Sequence, residues 1–266
     1  MLNGIASRHQ LIYTTHSPFM LDWNFPQRIR VLERNPVTRR TQIINRPYVS
    51  SGAAGKLWEP LRASIGTTMG GIATIDDVNF LVEGVSDQIL LANLSAHLEK
   101  LGRTHLDLQN ASVLPYSEEI SLKQLLRAIA AHHATRVVLV DTDAQGQKAA
   151  RLCAKEGAPV VEIAPYASRA VGSIEDVIGT EDYVAAVNAF YSQFGWFAAL
   201  SAETVKRDIG TLTLGSYFER HFDQTFQQSF SKVSVAIALA YRAGRLSADA
   251  LARVEQLVAA LRAAVR

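Results

Sequence analysis

The strongest constraint on how this chain can fold is an alternation of two kinds of segment between residues 79 and 164. Four short apolar runs, NFLVE (79–83), ASVLPY (111–116), RVVLVDTD (136–143) and PVVEIA (159–164), are separated by longer stretches of helical periodicity. The core of the third run, Val137 to Val140, offers no polar residue to a solvent-facing side, so as a strand it must be covered on both faces, as in a parallel sheet. The intervening segments supply the covers. Residues 86–102 form an amphipathic pattern closed by Gly102, residues 121–133 a second one opened by a Ser121 cap, and residues 147–157 a third. Strand–helix alternation of this kind predicts a doubly wound α/β core, a mostly parallel sheet flanked by helices.

The pattern changes on either side of that core. Residues 182–228 are aromatic-rich and helical in period, which predicts an appended or inserted helical subdomain, and residues 229–266 add further helices that complete the region. Upstream, residues 10–14, 28–33 and 41–45 read as short strands, the last two separated by an Asn35-Pro36 turn signal. Three short strands without a helix make a poor independent domain, so residues 1–47 are expected to be the end of a larger one. Residues 48–74, rich in Gly, Ser and Ala, read as a linker before a core at 75–181.

Composition excludes several classes. Apolar residues make up 48% and charged residues 20%, and 27 basic side chains nearly balance 25 acidic ones. No apolar run approaches the roughly 18 residues that a membrane span needs, and no basic stretch followed by an apolar segment marks the N-terminus for secretion. The one cysteine, Cys153, forbids an internal disulfide framework, reads as a small core residue, and suits a reducing, cytoplasmic setting.

Chemistry concentrates in carboxylates at the carboxyl ends of the predicted strands, where α/β sheets place their ligands. Glu83 ends the first strand, Asp141 and Asp143 follow the third, and Glu175 lies in the loop region beyond the fourth. Asp87 sits four residues after Glu83, in the first turn of the next helix. Any one of these could be a helix cap or a solvated loop charge, and Asp176 and Asp182 are assigned to that class. Five carboxylates converging at one rim repel one another unless a cation sits among them. Hard divalent ions want such oxygens, and two ions about 4 Å apart can clamp both oxygens of a phosphodiester displacement.

Glu-Gly after the first strand (FLVEGVSD) and Asp-x-Asp after a later one (VLVDTD) resemble the Toprim signature of topoisomerases, primases and related nucleases. Within that group, Asp87, the Ser-x-Glu of Ser173 and Glu175, and Lys232 at the head of a late helix resemble the overcoming-lysogenization-defect (OLD) nucleases. The resemblance spans roughly residues 75–245 and departs from the family at Asp87, where a longer glutamate is common. It implies a Toprim-like fold, a DNA endonuclease or nickase, and two divalent ions, Mg²⁺ or Mn²⁺ with Ca²⁺ also possible. It further implies that Glu83, Asp141 and Asp143 hold one ion and Asp87, Ser173 and Glu175 the other. Glu83 would double as general base, and Lys232 would stabilise the phosphorane.

Thr14-Thr15-His16-Ser17-Pro18 resembles the switch-histidine loop of ABC-type ATPases, which precede the Toprim region in OLD proteins. The chain has no phosphate-binding loop, since Gly52 to Leu57 is too short and lacks the hydroxyl, so no ATP is expected to bind. Residues 1–47 then read as the remnant of an ATPase domain in a longer parent, which leaves this region free to be a monomer. DNA is the expected partner. Arg28, Arg30, Arg34, Arg39, Arg40 and Arg46 form one basic scatter, and Lys206, Arg207, Arg220, Lys232, Arg242 and Arg245 another. The competing reading is a non-catalytic regulatory module that binds nucleic acid, its carboxylates purely structural. The EF-hand-like start at Asp141 fails at Gln145 and Leu152, and His132-His133 point to different sides of a helix end.

Overall fold

The computed structural model describes residues 9–15, 20–35, 37–44, 75–116, 119–170 and 172–265. The chain divides into two units, residues 1–22 with 29–73 and residues 23–28 with 74–266. In the smaller unit, β1 (Val31–Arg34) and β2 (Thr41–Ile44) pair antiparallel, with Val31 opposite Ile44 and Arg34 opposite Thr41. Asn35 turns the chain: its Oδ1 accepts the backbone N–H groups of Val37 and Thr38, both at 2.9 Å. The expected strand at 10–14 is instead irregular, with Ile12 84% exposed. No neighbouring strand satisfies its backbone among the described residues, and β propensity alone cannot hold an extended run in place. His16 to Pro18, Arg46, the linker 48–74 and the Gly52–Leu57 segment lie outside the described residues.

The larger unit is built on the predicted parallel sheet. Its strands are β3 (Val78–Val82), β4 (Ala111–Pro115), β5 (Thr135–Val140) and β6 (Val160–Glu162), and the helices between them are α1 (Val85–Lys100), α2 (Glu119–Ala131) and α3 (Ala144–Lys155). The order across the sheet is β4-β3-β5-β6, all parallel. Alternation divides the strand side chains between two cores. Phe80, Val82, Val113, Val137 and Leu139 pack toward α1 residues such as Ile89 and Leu94, whereas Leu81, Leu114, Val138 and Val140 pack toward Leu122 and Leu126 of α2 and Leu152 and Cys153 of α3. Thus α1 lies on one face and α2 and α3 on the other. The chain leaves β3 toward β4 and leaves β5 toward β6, so the connections diverge between β3 and β5 and open a crevice at their carboxyl ends.

The remaining helices are α4 (Ile174–Ile178), α5 (Thr180–Tyr191), α6 (Ala202–Asp208), α7 (Leu214–His221), α8 (Lys232–Tyr241) and α9 (Ala248–Ala263). The aromatic-rich helices that follow the sheet share its core. Tyr183, Phe218, Phe222, Leu239 and Leu257 join Phe80 and Val137 in one continuous core, because these helices pack over α1 and bury the apolar face it turns away from the sheet. Asp182, assigned to solvent or capping, accepts the Ser247 hydroxyl at 2.6 Å and so anchors the start of α9.

A short segment departs from the expected N-terminal boundary. Trp23–Arg28 belongs to the larger unit and lies along the free edge of β4. Asn24 Nδ2 donates to Ala111 O at 2.9 Å while its Oδ1 accepts from Val113 N at 2.7 Å. One amide side chain thereby pairs two main-chain groups that an edge strand would otherwise leave open.

Candidate metal centre

Strand ends and helix starts bring the predicted acids to the crevice between β3 and β5. Glu83 follows the last residue of β3, and Gly84 is the N-cap of α1. Asp87 closes the first turn of that helix by accepting Gly84 N–H at 2.8 Å. Asp141 follows the last residue of β5, and Asp143 is the N-cap of α3, accepting Gly146 N–H at 2.8 Å. Asp87 and Asp143 therefore perform the helix-end duty that a solitary acid would, whereas Glu83, Asp141 and Glu175 make no cap. The close approach of α3 to β5 depends on Gly146, because a Cβ there would stand 2.0 Å from the carbonyl oxygen of Asp141.

Glu175 arrives from the far side. Ser173 is the N-cap of α4, is buried, and directs its hydroxyl hydrogen to Asp176 Oδ2 at 2.8 Å. Asp176 is fully buried, accepts Ser173 N–H at 3.1 Å and Leu214 N–H at 3.3 Å, and lies 3.6 Å from Arg169. It is the pin that fixes this turn, a larger role than the solvated charge or cap expected for it. With Asp176 turned into the fold, its neighbour Glu175, 3% exposed, is turned toward the crevice. Ser173 keeps only oxygen lone pairs to offer a ligand, since its hydrogen is committed.

Electrostatics record how the acids meet. Burial raises the carboxyl of Glu83, and the charges of Asp143 and Glu175 raise it further against Lys232. Asp87 is pushed up to about 8, first by burial and then by Glu175 and Glu83. Burial holds Asp141 well above the usual carboxylate range, with Asp87, Glu175, Glu83 and Asp143 all adding repulsion. Asp143 is thus the strongest charged neighbour of Glu83, and Glu175 that of Asp87. Each of the five predicted carboxylates has at least two of the others among its electrostatic neighbours.

Lys232 opens α8 behind a Ser231 cap, pairs with Glu219 at 3.2 Å, and has its ammonium strengthened by Glu175, Glu219 and Asp87, which outweigh burial. Gly215 on α7 makes room for it. A Cβ at that position would come within 2.8 Å of Lys232 Cε and 3.5 Å of Glu175 Oε1.

Two residues escaped the sequence reading. Tyr116 follows the last residue of β4, and Tyr183 lies in α5. Both are buried, and neither hydroxyl has a hydrogen-bonding partner among the described residues. Burial and then the charges of Glu83 and Asp141 raise the Tyr116 phenol, while burial followed by Glu175 and Asp87 raises that of Tyr183. Tyr116 carried a legible signal, since it ends the strand beside β3. Tyr183 carried none.

The donor set fits a hard divalent cation: the oxygens are carboxylates, and Glu83 Oε2 is buried without a partner. Among the described residues, no three Asp, Glu, His or Cys side chains are already drawn into a metal-holding group, so binding an ion would require side-chain adjustment. His132 and His133 are exposed at the end of α2, and Cys153 is buried in the core, its thiol raised by burial to about 11. Among the described residues, no helix is long and apolar enough to cross a membrane. Comparison with family models, with curated proteins and with solved structures gives no match.

Proposed function

We propose that this chain carries a metal-dependent phosphodiesterase that cleaves DNA, the catalytic region of an ATPase–nuclease resembling the OLD family. The observation that supports this most is the meeting of Glu83, Asp87, Asp141, Asp143 and Glu175 at the crevice between β3 and β5, with the Lys232 ammonium among their electrostatic neighbours. Repulsion among five carboxylates, four of them buried or half-buried, costs stability, and a stable fold tolerates it where a bound cation relieves it.

Glu83, Asp141 and Asp143 would hold one ion, and Asp87 and Glu175, with the Ser173 oxygen, a second. Divalent ions there supply charge neutralisation and polarise the phosphoryl oxygens. Glu83, with its proton affinity raised, is suited to accept a proton from the attacking water. Lys232 places a positive charge beside Glu175, where negative charge builds on the phosphoryl group during attack.

The test is nicking of supercoiled plasmid with Mg²⁺ or Mn²⁺, abolished by chelator and by Asp141→Ala. One observation favours the alternative, a nucleic-acid-binding regulatory module: no three of the side chains are yet gathered around a common point. DNA binding without cleavage under any divalent metal would establish that alternative.

A further inference from the structure

Tyr116 and Glu83 each bury a polar atom that has no hydrogen-bonding partner among the described residues, and the two residues lie side by side. Tyr116 N–H donates to Val82 O at 2.8 Å, which extends the β3–β4 pairing and sets Tyr116 next to Glu83. The Tyr116 hydroxyl is a donor without an acceptor, Glu83 Oε2 an acceptor without a donor, and they do not bond to each other. Tyr116 is 3% exposed. A buried hydroxyl without a partner destabilises the fold, and phenylalanine would fill the same space without that penalty. Glu83 is also the strongest charged influence on this phenol after burial itself, and Asp141 follows it. Tyr183 differs, because its strongest charged neighbours are Glu175 and then Asp87.

A single small group satisfies both atoms if it accepts from the phenol and donates to the carboxylate, and water does both. We propose that Tyr116 Oη and Glu83 Oε2 together hold the water that attacks the phosphodiester, which makes Tyr116 a water-positioning residue. This rests on the nuclease reading. In the step, the water oxygen forms a bond to phosphorus as its proton passes to Glu83, the opposite phosphorus–oxygen ester bond breaks, and the departing alkoxide takes a proton from solvent. Tyr116 keeps its own proton throughout and fixes the direction of the oxygen lone pair.

The experiment compares wild type with Tyr116→Phe, using supercoiled plasmid as substrate and Mn²⁺ as the ion. The variant should melt at the same temperature or higher, bind Mn²⁺ as tightly and leave KM unchanged, while kcat falls roughly 10- to 100-fold. A lowered melting temperature with unchanged kcat would instead make Tyr116 a packing residue. Crystals of the wild-type protein soaked in Mn²⁺ give a readout independent of turnover: a water within hydrogen-bonding distance of both Tyr116 Oη and Glu83, absent from Tyr116→Phe. A wild-type site with no such oxygen overturns the inference even if the protein cleaves DNA. A protein that cleaves nothing but shows the bridging water retains the water site and loses the nuclease reading.

Discussion

Replacing Asp87 by asparagine should stabilise the metal-free protein at alkaline pH while abolishing its metal response. Asparagine keeps the shape and can still accept the Gly84 N–H that Asp87 Oδ2 accepts at 2.8 Å, so the start of α1 stays closed. What changes is titration. Asp87 is raised from 3.8 to about 8. A group whose folded pKa lies above its unfolded value contributes stability that is fully present below about pH 4 and is lost as pH rises through about 8. Each pH unit in that window costs about 1.4 kcal/mol, so the three units from pH 5 to pH 8 represent an upper bound of about 4 kcal/mol. Glu83, whose carboxyl is raised as well, redistributes its proton when Asp87 titrates, which reduces the expected figure to about 2–4 kcal/mol. The assay is urea unfolding of both proteins in chelator at pH 5, 6.5 and 8. The variant's advantage should widen by that amount across the range, and Mn²⁺ should restore the wild type but not Asp87→Asn. A difference between the two proteins that stays constant with pH would refute the claim that Asp87 sits among uncompensated charges.

Three further perturbations separate positioning from chemistry. Gly146→Ala sets a Cβ against the Asp141 carbonyl at 2.0 Å, so the melting temperature should fall by the equivalent of about 1–3 kcal/mol and Mn²⁺ affinity with it; unchanged calorimetric values would show that α3 can shift freely. Gly215→Ala should favour helix α7 by up to about 1 kcal/mol yet reduce plasmid nicking, because the new methyl displaces Lys232; nicking at the wild-type rate would mean that Lys232 works from elsewhere. Lys232→Ala should lower kcat on the order of 100-fold with Mn²⁺ binding intact by titration calorimetry, and unchanged turnover would leave that lysine only its pairing with Glu219.

The four strands of the sheet, the three helices between them and the five acids at its rim were readable from the chain alone. Period-two and period-3.6 patterns are local, and the residue that follows a parallel strand must emerge at its carboxyl end. Cys153 in the core and Gly102 past the end of α1, in the left-handed conformation at φ 66°, follow from the same local rules. Contacts between distant segments decided the rest. Strict alternation along β3 and β5 would send Glu83 and Asp141 to opposite faces of the sheet. Both lie past the last paired residue, where alternation lapses, and the two connections diverge between those strands, so their charges meet. Nothing in Ile174-Glu175-Asp176 says which acid turns inward; Ser173 and Arg169 from the preceding loop and Leu214 from a distant helix select Asp176 as the pin and leave Glu175 for the crevice. The run at 10–14 had strand propensity but gained no partner, and the Trp23–Arg28 segment found one on β4 that no periodicity announced. Whether a buried hydroxyl has an acceptor depends on every element packed around it, so Tyr116 and Tyr183 became visible only once the chain was folded.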